Sequence, residues 1–513
     1  MAENAENNEN NEKDDHLLEE EDRDTVQIGS VRDTTLQKIE DYVDEKPEAQ
    51  KKLPSYRIVF SVWNTMIGSS IVSIPYNVYQ AGIIPTIFIG LLYGYICYLT
   101  CSVVVRLGGK SDDFAEIVYN YLYYGFGKKT AKFGKIVQIT FNLMINTGAT
   151  FIYFLIINQN FYPCICVFLR IFGVDIDDTD LTPHFDKFSF FYCSLIVSAI
   201  AFPLTIFRDM SFLAKFNSLG IYFVSALLIF VLYTGVRTMA TDTFKFEYKE
   251  NSEGNNERYL YLFGENPGML TGTLSLGLFC HSVILPLMKN NRKPENNSRD
   301  LFLGYLCVTL TYIIIGIFGY IGFSGADYSP VFKDNWFRFF PSDNYFILVL
   351  RLLNVIQLIS IFPILFFVVR NQLFATFFKS FLKGKSRVPF LVFSLSLLFL
   401  CILVLCLCYD TLGKLISYIG AITALILVYT IAPLINMINY YIRHQPKKEI
   451  EKLREAQKEF NIPINVDELV PLRPWKAFIF YLCMMLIILL GIITLILQIM
   501  PVNFFGITIE KNQ

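Results

Sequence analysis

The chain has 513 residues, of which 53% are apolar, 16% aromatic and only 17% charged, with a formal net charge of −1. A soluble domain carries about 25% charged residues, so this deficit, together with 48 Phe and 30 Tyr, excludes an ordinary soluble enzyme. Collagen-like, Pro-rich and disulfide-rich tracts are absent, and four His with eleven scattered Cys leave little for metal chemistry.

The small net charge hides an asymmetry. Residues 1–50 hold 17 Asp/Glu against 5 Lys/Arg, so the rest of the chain has a basic excess of 11. Residues 1–54 are polar and poor in apolar side chains, which predicts a disordered acidic tail. Acids stand where a signal peptide needs a basic region, so the first apolar span is expected to act as the insertion signal. Within the tail, Asp14-Asp15-His16-Leu17-Leu18 followed by three Glu fits an acidic dileucine sorting signal, read by a cytosolic partner.

Eleven apolar stretches then follow, each long enough to cross a bilayer. They lie at roughly 56–80, 83–106, 135–158, 188–207, 214–236, 268–288, 301–323, 344–369, 389–408, 412–440 and 476–500. With the N-terminus in the cytosol, the inner segments collect 33 Lys/Arg and the outer ones 10, and basic residues favour the cytosolic side. The C-terminus is therefore expected on the outer side. Asp112 to Tyr124 and Pro446 to Phe460 read as amphipathic cytosolic helices. Basic residues are spread over many short loops, which argues against a nucleic-acid partner.

Two spans are interrupted at corresponding places. The first reads Trp63-Asn64-Thr65-Met66-Ile67-Gly68-Ser69-Ser70-Ile71-Val72-Ser73-Ile74-Pro75. The sixth reads Gly272-Thr273-Leu274-Ser275-Leu276-Gly277-Leu278-Phe279-Cys280-His281-Ser282, with Pro286 downstream. Small and hydroxyl residues break the apolar run, and proline gives no donor to the helix ladder. The sixth span lies five after the first. Five is odd, so a second five-span unit enters the bilayer inverted relative to the first. Broken helices at matching positions of inverted halves mark a secondary transporter's binding site. The expected fold is thus an all-α integral membrane protein of about 11 transmembrane helices. It has a five-plus-five inverted-repeat core: residues 55–236, then an outer loop at 237–267, then 268–440. A cytosolic loop at 441–475 and an eleventh span within 476–513 complete it.

His281, inside the sixth span, is a candidate for proton coupling or a neutral packing histidine. Arg351, near the outer end of the eighth span, is expected to pair with an acid, line an outer gate or snorkel to headgroups. Most Cys sit inside apolar runs and read as small buried hydrophobes. The acidic loop around Asp175 to Asp186 departs from a calcium loop at key positions. No catalytic constellation and no Walker sequence is visible, so neither an enzyme nor an ATP-driven pump is expected.

The first-span segment, with Gln80-Ala81-Gly82 after it, resembles the amino acid/auxin permease family. The likeness is closest to the sodium-coupled neutral amino-acid transporters and, among those, to the lysosomal arginine-sensing branch. It continues through Lys215-Phe216-Asn217-Ser218-Leu219-Gly220, the stretch Leu287 to Asp300, Val308-Thr309-Leu310-Thr311-Tyr312, and Arg351-Leu352 with Pro363 and Arg370, covering roughly residues 56 to 440. The resemblance implies amino-acid transport by alternating access. It implies that Thr65, Met66, Ile67, Gly68, Ser69 and Ser70 form the substrate segment and that Asn64 matches a sodium-site asparagine. Phe279, Cys280 and His281 of the second break complete the expected substrate site, and Ser360 the ion site. Sodium or a proton is the expected coupling ion, with no other cofactor. The eighth span departs from the family pattern: Ser360 is the only hydroxyl just before Pro363, where threonines are usual, which thins the oxygen ligands for sodium. Neutral amino acids suit a site without charged walls, whereas the resemblance also points to arginine or leucine. An internal lysosomal, vacuolar or endosomal membrane is the expected address. The alternative function is a sensor that signals to a cytosolic partner with little flux.

Overall fold

The computed structural model describes residues 52–108, 113–174, 176–178, 180–185, 187–206, 220–241, 245–247, 259–264, 266–323, 335–340, 344–377, 388–409, 412–444 and 474–499. The acidic tail up to residue 51, the segment expected to be helical at 446–460 and most of the Lys215–Gly220 motif lie outside them. The first span is split into α1 (Ser55–Met66) and α2 (Ile74–Ala81). The second is α3 (Ile83–Gly108), and the amphipathic α4 (Phe114–Phe126) follows where expected. Asp113 caps α4 by accepting the Ala115 amide at 2.9 Å. The third, fourth and fifth spans are α5 (Lys128–Ile171), α6 (Phe190–Thr205) and α7 (Gly220–Thr241). The sixth is split into α8 (Pro267–Gly277) and α9 (Ile284–Lys289). Then come α10 (Asn297–Phe323), α11 (Tyr345–Phe377) and α12 (Val388–Cys408). The tenth span runs through α13 (Leu412–Ile426), a π-turn at Leu427–Ile431 and α14 (Ala432–Arg443); the eleventh is α15 (Pro474–Ile499). Eight continuous helices are long and apolar enough to cross a membrane; the shorter α6 and the two split spans make eleven among the described residues.

The third helix is longer than hydropathy predicted, running from Lys128 to Ile171 rather than 135 to 158. An apolar window senses bilayer thickness, about 20 residues, whereas the helix continues through a buried polar stripe and over Pro163. A two-strand parallel ribbon, β1 (Lys245–Glu247) with β2 (Tyr259–Tyr261), is an addition that the all-helical reading did not contain. The stretch after β2 docks on the end of the first span. Gly264 and Asn266 donate to the carbonyls of Ala81 and Gln80 at 2.8 and 2.9 Å. Gly82 turns there with φ +88°, and a Cβ on it would lie 2.6 Å from the Gly264 nitrogen, so only glycine fits.

The packing repeats with a period of five spans. The first packs on the sixth, the second on the seventh, the third on the eighth and the fourth on the ninth. Four further pairs of contacts match across the halves. The fifth–seventh contact is matched by tenth–second, first–seventh by sixth–second, third–tenth by eighth–fifth, and fourth–eighth by ninth–third. An odd period reverses chain direction, so the halves are an inverted pair. The third span sits deepest, with 72% of its apolar window buried, whereas α15 has 17% and lies at the periphery against the tenth and sixth spans. Below, the near face is the side on which α1 begins and the far face the opposite one.

Candidate functional site

Both breaks follow from local sequence. At the end of α1, Ile67 leaves helical geometry with ψ 91°, and Gly68 takes φ −117°, ψ −138°. A 3-10 turn, Ser69–Val72, follows, and α2 restarts with Pro75 in its first turn, where a missing donor costs nothing. In the sixth span the helix stops at Gly277 and resumes at Ile284. Unwound backbone at membrane depth is tolerated only when protein or a cavity satisfies it.

One hydroxyl joins the two breaks. Tyr312, on α10, donates to the Met66 carbonyl at 2.9 Å, and the same hydroxyl lies 3.4 Å from the Gly277 carbonyl. A Cβ at Gly277 would sit 2.6 Å from the Tyr312 oxygen, and one at Gly68 would overlap the hydroxyl of Tyr153 on α5. The glycines are therefore required on both breaks by close approach of a tyrosine. The sequence reading did not name Tyr312 or Tyr153 as site residues, although Tyr312 closes one of the stretches that carried the family resemblance.

Of the residues expected in the first break, Met66 meets this hydroxyl, and the others have surroundings of their own. The Thr65 hydroxyl bonds back to the Ser61 carbonyl at 2.7 Å. Met66, Ile67 and Ser70 are buried, and Met66 presents its carbonyl to Tyr312. Ser69 contributes backbone to the 3-10 turn, and its side chain lies outside the described residues.

The residues of the second break are split. Cys280 Sγ lies 3.2 Å from the Tyr305 hydroxyl and 3.6 Å from Cys101 Sγ of the second span, while Tyr305 donates to the Leu278 carbonyl at 3.2 Å. His281 is fully buried, with Nε2 at 3.0 Å from Thr100 Oγ1. The Thr100 hydroxyl proton is given to the Ile96 and Cys97 carbonyls at 3.0 and 3.1 Å. His281 Nδ1 is buried without a hydrogen-bond partner. Cys280 and His281 thus bond toward the second and seventh spans, and Phe279, half-buried, stacks on His281 at 5.4 Å.

Asn64 is buried where the first, fifth and eighth spans converge. A Cβ at Gly220 would lie 2.8 Å from Asn64 Oδ1 and 3.1 Å from Gln357 Cγ. On α11, Asn354, Gln357 and Ser360 recur every three residues and are all buried. Ser360 donates to the Gln357 carbonyl at 2.6 Å, which turns its hydroxyl along its own helix while keeping its lone pairs free. The sequence reading named Asn64 and Ser360. Asn354 and Gln357 were missed, although their spacing in an apolar run was a readable signal.

Polar groups continue from the site toward the near face. Gln138, Asn142, Asn146 and Thr150 line one stripe of α5 at four-residue intervals, ending a turn from Tyr153, and all are buried. Asn142 bonds Gln372 of α11 at 3.1 Å, and Gln372 reaches the Ile139 carbonyl at 3.2 Å. Arg370 donates to the Thr205 carbonyl at 3.1 Å, where a cation suits the C-terminal end of α6. At the far face, Arg351 neither forms an ion pair among the described residues nor snorkels. It is buried and caps the Phe337 and Phe340 carbonyls at 2.8 and 3.0 Å.

The family profile described as "Transmembrane amino acid transporter protein" matches residues 55–465. Neutral amino acid transporter 9 of Danio rerio is 30% identical over 435 residues, covering 76% of this chain and 75% of that protein. The sodium-coupled neutral amino acid transporter 9 homolog of Caenorhabditis elegans is 26% identical over 439 residues, covering 76% and 69%. Among solved structures, the nucleobase-cation-symport-1 family transporter Mhp1 is similar with a TM-score of 0.48 and 10% identity, covering 88% of this chain and 92% of that one.

Proposed function

The chain belongs to the transmembrane amino acid transporter family, and from that premise we propose that the two facing breaks bind the amino acid this secondary transporter carries by alternating access. The observation that carries the reading is the Tyr312 hydroxyl shared by the Met66 and Gly277 carbonyls, which ties the unwound ends of both inverted halves to one point. Amides of Gly68, Ser69 and Ser70, at the start of a helical turn, suit the substrate carboxylate; carbonyls around Met66, Ile67 and Leu278 suit its ammonium. Thr65 and Phe279 border this space, and Cys280 and His281 form the wall behind it. No Asp or Glu belongs to the described break residues, so a neutral amino acid fits better than a cationic one. The relatives' names, with neutral amino acids in one and sodium coupling in the other, support the same reading.

Sodium is the coupling ion of this proposal, held by Asn64 and the lone pairs of Ser360 beside Gln357. Uptake of a radiolabelled neutral amino acid into proteoliposomes under sodium and under proton gradients tests it. Sodium-driven uptake is expected, and Asn64→Ala is expected to raise the sodium concentration for half-maximal uptake by about tenfold, the loss of one hydrogen-bond-strength ligand. Uptake indifferent to sodium but driven by protons would transfer the coupling role to His281, the buried titratable group of the second break.

The near face is assigned to the cytosol, supported by Arg106, Lys128, Lys129, Lys132 and Lys135 gathered there. With the tail on that side, Leu17 and Leu18 become available to sorting adaptors, and the address is an endosomal, lysosomal or vacuolar membrane. Replacing both leucines by Ala is expected to shift an immunolabelled protein toward the cell surface. Unchanged compartment labelling would move the address into the membrane body.

A further inference from the structure

At the far face, away from the breaks, two side chains bonded to the same short segment, Asn335 to Phe340, are short of an acceptor. Arg351 is 3% exposed. Its Nη2 caps the Phe337 and Phe340 carbonyls, whereas Nε and Nη1 are buried with no hydrogen-bond partner. Asn160 of α5 is fully buried; its Oδ1 faces the Asn335 amide at 3.5 Å, and its Nδ2 has no partner. The two are joined through one short segment, since Asn335 Oδ1 also accepts the Phe337 amide at 3.1 Å and Phe337 gives its carbonyl to Arg351. Cys164, one turn after Asn160 and bonded to its carbonyl at 3.2 Å, lies within electrostatic range of the guanidinium.

No counter-charge is committed to Arg351 among the described residues. Asp178 is within electrostatic range but pairs with Arg170 at 3.4 Å. A buried guanidinium without a partner is costly, and water satisfies its donors but not its charge. A cation is excluded by the same charge. We propose that Arg351 and Asn160 form a binding site for a small monovalent anion, with Cys164 on its wall. Two sources share that chemistry: a halide, held as a fixed part of the folded protein, and the carboxylate of a substrate passing between the far face and the breaks. The second source rests on the transport reading above; the first does not.

Thermal unfolding of the purified full-length protein tests the proposal, in sodium chloride, sodium formate or the sodium salt of a bulky morpholino sulfonate at equal ionic strength. Chloride or formate is expected to raise the midpoint saturably by a few degrees over the bulky salt. A larger response to chloride assigns the halide. A larger response to formate, competed by a transported amino acid, assigns the carboxylate. Arg351→Gln is expected to abolish the response. Cys164→Asp places a tethered carboxylate within electrostatic range of the guanidinium, so its midpoint in the bulky salt is expected to match or exceed that of the chloride- or formate-saturated parent, with no further gain from either anion. Equal midpoints of the parent protein in all three salts would overturn the site. So would an anion response that survives in Arg351→Gln or, should that variant fail to fold, in Cys164→Asp.

Discussion

Tyr312→Phe is expected to lower initial uptake roughly 10- to 100-fold per reconstituted molecule while the protein stays folded. The phenyl ring keeps the packing on α10 but removes the hydroxyl that the Met66 and Gly277 carbonyls share. A buried carbonyl left without its donor costs about 1–3 kcal/mol, and each 1.4 kcal/mol is a factor of ten. That cost falls on the geometry of the breaks rather than on the bundle, because the surrounding helices keep their ladders. Uptake and thermal unfolding measured on the same preparation separate the two. An unchanged rate would mean that the shared hydroxyl is incidental to transport.

Gly68→Ala is expected to abolish measurable substrate binding. Its Cβ would overlap the Tyr153 hydroxyl, with the ring Cζ only 3.0 Å away. Either Tyr153 is pushed off the break or the break opens, and overpacking of this kind typically costs about 1–3 kcal/mol before any effect on the site itself. Combining Gly68→Ala with Tyr153→Phe removes the overlapping oxygen, so binding is expected to recover in part. Equilibrium binding of a radiolabelled amino acid to the parent, the two single variants and the double variant reads that recovery. No recovery in the double variant would show that the two residues do not meet at the substrate.

The parts of this architecture that the bilayer dictates were legible in the sequence. Lipid leaves the backbone no choice but a continuous helix, so each apolar run gave a span, and the glycines, hydroxyls and prolines at 64–75 and 272–286 gave both breaks. The odd spacing between them gave the inversion, which the five-span packing period bears out. What joins the breaks was not legible. Tyr312 meets Met66 across 246 positions, and in a chain with 30 tyrosines nothing local distinguishes it. The same holds for Tyr153 against Gly68. Gln357 was passed over because one amide in an apolar run reads as an exception rather than as part of a face with Asn354 and Ser360. Arg351 was expected to seek a carboxylate or the headgroups; instead it caps two carbonyls of a loop whose path no local pattern encodes. The 44-residue length of α5 was hidden for a different reason, since its polar stripe lowers the hydropathy that marks a span.

Accumulation in proteoliposomes tests the central claim most directly. Purified protein is reconstituted, a sodium or proton gradient is imposed, and a panel of radiolabelled amino acids is followed to steady state in parallel with Gly68→Ala vesicles. The account predicts saturable accumulation of a neutral amino acid above its external concentration, collapse of that accumulation when an ionophore dissipates the gradient, and none in the Gly68→Ala vesicles. Uptake across the whole panel no greater than in protein-free liposomes, under either gradient, would contradict it, as would a flux that rises with concentration without saturating.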